Sequence, residues 1–79
     1  MMRSTLRREA AAVGIRLLDE AYLSWSLAQM QCVNALSAWS QARGGARGAA
    51  HLAYCAALDR EEAAARDLAQ ISELARSYG

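Results

Sequence analysis

Apolar and small side chains recur every three to four positions along nearly the whole chain, and the pattern breaks once, at Gly44-Gly45-Ala46-Arg47-Gly48. Spacing of that kind predicts amphipathic helix, and three glycines in five residues end a helix and permit a reversal. The expected elements are a helix over about 4–43, a glycine turn over 44–48 and a second helix over about 49–77. The chain contains no proline, so the strongest helix breaker is missing. β-Branched residues are few, which argues against strands. Ser4 is placed to cap the first helix. Gly14 is the weak point inside it and a candidate kink or break, which leaves open whether residues 1–13 form a separate helix. The fold class this predicts is all-α: one domain spanning 1–79, a long antiparallel two-helix hairpin.

Small residues then set a register. Gly14, Ala21, Ala28, Ala35 and Ala42 follow one another at intervals of seven, and Ala50, Ala57 and Ala64 do the same in the second helix, with Ile71 and Tyr78 continuing the phase. Folding the chain back at the turn sets Ala42 against Ala50, Ala35 against Ala57 and Ala28 against Ala64. Further from the turn, Ala21 meets Ile71 and Gly14 meets Tyr78. Alanine against alanine lets two helix backbones approach at or below the low end of the usual ~8–10 Å spacing. An alanine-seamed antiparallel coiled coil is therefore expected.

The larger apolar residues do not fit inside such a seam. Beside it on the first helix lie Leu18, Trp25, Cys32 and Trp39, and next to those Ile15, Tyr22, Gln29 and Leu36. The second helix adds Tyr54, Leu58, Ala65 and Leu68 on the same side. Two helices cannot enclose this surface, and an exposed apolar patch of that extent marks an interface. The expected partner surface is Leu18, Tyr22, Trp25, Leu36, Trp39, Tyr54, Leu58 and Leu68, with the aromatic rings as anchors. Dimerisation into a four-helix bundle, or docking of another protein's helix, would cover it. A shorter stripe of Leu23, Leu27 and Met30 on the opposite side of the first helix is a second candidate interface. Leu6, Ala10, Val13 and Leu17 form a further stripe on the N-terminal stretch that extends past the second helix.

Polar residues interrupt the apolar face at two positions, Gln29 and Glu61, and the register brings them to nearly the same level. A buried polar layer of this type commonly fixes register and oligomeric state at some loss of stability. As chemistry the pair is thin. A lone glutamate without a histidine or second carboxylate gives neither an acid–base pair nor a metal site. His51, Cys32 and Cys55 form no ligand cluster, and the register sets the two cysteines about five residues out of level, too far apart for a good disulfide. No catalytic residue, metal or cofactor is expected, and the chain is not expected to be an enzyme.

Charge narrows the partners. The net charge is +1, and the basic residues are nine arginines with no lysine. The arginines are spread among acids instead of lining one face, so nucleic acid is not the expected partner. A small dimeric hairpin that regulates nucleic acid is the alternative reading. No run of about 18 apolar residues exists to span a membrane, and Arg3, Arg7 and Arg8 lead into no apolar signal-peptide core. Two unpaired cysteines fit a reducing cytoplasm, and arginine without lysine suggests a GC-rich bacterial source. The function this predicts is a helical protein-binding module: a self-associating homodimer, or a small chaperone or adaptor subunit that holds a partner helix.

Overall fold

In the computed structural model the chain is two long helices packed side by side, α1 (Met2–Gln41) and α2 (Ala46–Tyr78). The backbone is described for residues 2–78, and side-chain surroundings for residues 8–77 except 10. The hairpin is a rod of 67 × 13 × 12 Å. Forty residues of α1 at ~1.5 Å each span about 60 Å, so this helix alone sets the length.

The reversal is shorter than the glycines suggested. Gly44 adopts a left-handed φ of 59°, the conformation that ends a helix and that only glycine adopts without strain. The Ala42 amide donates to the Trp39 carbonyl and the Arg47 amide to the Gly44 carbonyl, both at 3.2 Å. With those bonds the turn closes and α2 starts at Ala46, so Arg47 and Gly48 belong to its first turn rather than to the connection.

α1 passes through Gly14 without a break, so residues 2–13 continue the same helix. Ser4, expected as a cap, lies inside the helix, which starts at Met2. The Leu6 and Ala10 stripe and the Gly14–Tyr78 pairing rest on side chains outside the described residues. Nothing within 4 Å would meet a Cβ added at Gly14. Gly14→Ala should therefore raise stability by roughly 0.5–1 kcal/mol through helix propensity alone, read as a shifted urea midpoint with unchanged slope. A loss of stability would show that the bare backbone at residue 14 is needed.

The core is the alanine seam. Among the described residues only Ala21, Ala28 and Ala57 are buried, and Ala57 is the most enclosed at 1% exposure. Ala35, Ala42, Ala50, Ala64 and Ile71 are half-buried along the same line. Alternating with them, in steps of four and three, are Leu18, Trp25, Cys32 and Trp39 on α1 and Tyr54, Glu61 and Leu68 on α2, all half-buried. That alternation is the a/d spacing of a coiled coil. One row of the seam is small and closes the backbones together; the other is large and rises out of the seam on one side.

Candidate protein interface

The large row gives one face of the hairpin its chemistry. Near the turn the Trp39 ring stacks on Tyr54, with centroids 5.6 Å apart and planes at 27°. Its centroid lies 4.7 Å from the His51 ring, and the Arg47 guanidinium sits 5.8 Å above the indole. One tryptophan thus ties the end of α1 to the first two turns of α2. Half-way along, the Trp25 indole N–H donates to Glu61 Oε1 at 2.9 Å, and Tyr22 tilts against the same indole with centroids 5.8 Å apart. The Trp25–Glu61 and Trp39–Tyr54 contacts join the two helices, as an antiparallel hairpin requires.

The expected interface residues therefore divide into two groups. Leu18, Trp25, Trp39, Tyr54 and Leu68 are half-buried because they also build the hairpin. Tyr22, Leu36 and Leu58 flank them and are exposed, at 55%, 43% and 41%. Ile15 continues the α1 flank and is also exposed. All of these lie on one side of the seam, since both helices carry the flanking row one step beyond the large row.

Two expectations change. The Gln29–Glu61 layer is not formed within the hairpin: Gln29 is exposed, Glu61 is half-buried, and no polar side chain among the described residues is buried. Trp25, one turn before Gln29, reaches Glu61 first, because its indole projects from the seam row while Gln29 stands on the flank. The tryptophans, expected to lie wholly on the free face, are shared with the seam. The stripe of Leu23, Leu27 and Met30 is exposed along its whole length.

The other side of the seam is different in kind. A shallow open groove there is lined by Leu17, Ser24, Ala64 and Ile71 together with Glu20, Asp67 and Gln70. It is narrow and edged with carboxylates, so it offers no broad apolar surface. On α2, Glu62 and Arg66 form an i,i+4 ion pair at 3.2 Å, with both side chains about two-thirds exposed, and a pair so exposed contributes only a few tenths of a kcal/mol.

Among the described residues, no three histidine, cysteine or acidic side chains gather where they could hold a metal ion. Cys32 and Cys55 are both free. Cys55 lies 3.7 Å from His51 Nε2 on its own helix, as any i,i+4 pair can. No helix among the described residues is long and apolar enough to cross a membrane. No known protein family, curated protein or solved structure matches the chain.

Proposed function

We propose that the chain is a non-enzymatic protein–protein interaction module whose apolar face is covered by other helices, as a self-associating bundle or as a small adaptor or chaperone subunit of the cytoplasm. One observation carries this reading: among the described residues the hairpin buries no large side chain, only three alanines. One buried methyl group is worth about 0.8 kcal/mol, whereas ordering a residue's backbone opposes folding by about 1–2 kcal/mol. A chain this small needs a staple or an assembly. The cysteines are unpaired and lie on different rows, which leaves association.

The face is suited to that role. Aromatic rings held at their base by the seam present pre-ordered edges, and such anchors concentrate binding energy. Exposed Leu36 and Leu58 sit beside them. The direct test is concentration dependence: sedimentation should show association at micromolar chain concentration, and the thermal midpoint should rise with concentration. Leu36→Asp places a charge on the flank without touching the seam. It should weaken association at least tenfold, about 1.4 kcal/mol, while helix content at high concentration persists. A chain that folds cooperatively as a monomer, with a midpoint independent of concentration, would overturn the reading.

A further inference from the structure

Near the tip of the hairpin two metal-ligating atoms face each other. Cys55 Sγ lies 3.7 Å from His51 Nε2, one turn apart on α2. Solvent reaches both side chains: His51 is exposed and Cys55 half-buried. The thiol is free, and the interaction role proposed above uses neither group.

We infer that His51 and Cys55 form a two-point chelate for a zinc-class ion, a divalent metal that takes nitrogen and sulfur in tetrahedral geometry. This inference is independent of what covers the apolar face.

Helical spacing alone brings many side chains four apart close together. Two features set this pair apart. The first is its bite. A tetrahedral zinc ion, with a Zn–N bond of about 2.0 Å and a Zn–S bond of about 2.3 Å, holds two such donors about 3.5 Å apart. The observed 3.7 Å is within ~0.2 Å of that span. A right-angled site, square or octahedral, would need roughly 3.1 Å, and a linear one roughly 4.3 Å. The donor types agree with the spacing. Imidazole and thiolate suit zinc, whereas magnesium and calcium take oxygen.

The second feature is a brace from the other helix. The His51 ring packs against Trp39 of α1 with centroids 4.7 Å apart, and that indole is stacked in turn on Tyr54. The imidazole is thus restricted before any metal arrives. A ligand side chain held in advance loses less rotamer entropy on binding.

The binding step balances without a co-reactant. The ion takes sulfur as thiolate, so the Cys55 S–H bond breaks, its proton leaves to water and a Zn–S bond forms. The imidazole binds through the Nε2 lone pair, with its proton on Nδ1. Nothing is oxidised or reduced. Two of the four positions remain for water, since no third histidine, cysteine or acidic side chain among the described residues completes a cluster with the pair. Structural sites with four protein ligands hold zinc far more tightly, and with half the donors the expected dissociation constant is on the order of 10 µM. The chelate closes a single turn of α2 and leaves the two helices unlinked, so it does not replace association as the source of stability.

Zinc competition against a chromophoric chelator tests this. Cys32→Ala is the background, so that Cys55 is the one thiol, and the reductant is not a thiol. One Zn²⁺ should bind per chain, and Co²⁺ in its place should show a thiolate-to-metal charge-transfer band. His51→Ala and Cys55→Ser should each raise the dissociation constant at least tenfold, and Cys55→Ser should remove the band. Helix content by circular dichroism should persist in both. The discriminating variant moves the thiol. Cys55→Ser with Ala53→Cys keeps one histidine and one cysteine but sets them two residues apart, on faces that do not meet. It should bind as weakly as Cys55→Ser, within about threefold. No zinc uptake at about 1 mM, a hundredfold above the expected constant, would overturn the chelate. So would a His51→Ala chain, or a moved thiol, that binds as tightly as the background. None of these outcomes bears on the interaction role.

Discussion

Replacing Ala57 with leucine should destabilise the hairpin by about 1–3 kcal/mol, the usual penalty for forcing extra methylenes into a closed core. Ala57 is 1% exposed and faces the alanine row of α1. Leucine and alanine differ little in helix propensity, so any larger loss reports packing between the helices. The three extra carbons have two ways out. They can push the helices apart, which opens the contacts at Ala28 and Ala35, or they can bend into an off-rotamer position. Ala53→Leu, on an exposed position of the same helix, is the control and should change stability by less than about 0.5 kcal/mol. Urea unfolding of the three proteins at one chain concentration makes the comparison. If Ala57→Leu unfolds at the parent's midpoint, the helices are not held at alanine distance and the seam is misplaced.

The seam was visible in the sequence for a physical reason. Small residues at intervals of seven are informative because close backbone approach tolerates nothing larger, and the turn glycines fixed which alanines face each other. The helix bounds were legible to within a few residues; the errors fell at Gly48, which a helix can accept in its first turn, and at Ser4, where the helix runs on to Met2. The second row of the seam was harder to place. An alanine row has two neighbouring rows, and either can turn inward. Here the row of Leu18, Trp25, Cys32 and Trp39 turns in and the row of Leu17, Ser24, Gln31 and Ala38 stays out. The four-and-three alternation of apolar residues on α1 carried that signal, since on that helix only the first choice extends an a/d pattern without polar interruption. Gln29 is exposed and Glu61 half-buried in the single hairpin, although the register sets them at nearly the same level. Reach matters as much: an indole projecting from the seam spans the gap to α2, and an amide on the flank does not.

The candidate interface inherits this division. Positions such as Trp25 and Trp39 serve the hairpin and the face together, so charge placed there disrupts both. Tyr22, Leu36 and Leu58 serve the face alone and are the places to separate assembly from folding. A rod whose own seam is mostly methyl groups, and whose described aromatic rings rise on one side, has folded only part of its apolar surface. The remaining part is ordered by the seam but not covered by it, which lowers the entropy lost when a partner arrives.

Trp25 is where these roles converge, and its removal should have the second large effect. Fully buried tryptophan truncated to alanine typically costs about 3–5 kcal/mol; Trp25 is half-buried, so Trp25→Ala should cost about 2 kcal/mol. Part of that loss is ring packing and part is the 2.9 Å hydrogen bond to Glu61. A double-mutant cycle separates them. Trp25→Phe keeps an aromatic ring but has no N–H to donate, and Glu61→Ala removes the acceptor. Each change alone should lower stability, and together they should cost less than their sum by about 1 kcal/mol, the net worth of a hydrogen bond to a partly solvated charged group. Glu61→Gln retains an acceptor oxygen and should couple to Trp25→Phe as strongly as the parent glutamate within a few tenths of a kcal/mol if geometry alone matters, and less strongly if the negative charge strengthens the bond. Chemical denaturation at a fixed, high chain concentration keeps assembly constant across the set. Strict additivity of Trp25→Phe and Glu61→Ala would mean that the indole and the carboxylate do not interact, and the polar contact between α1 and α2 at the centre of the face would have to be abandoned.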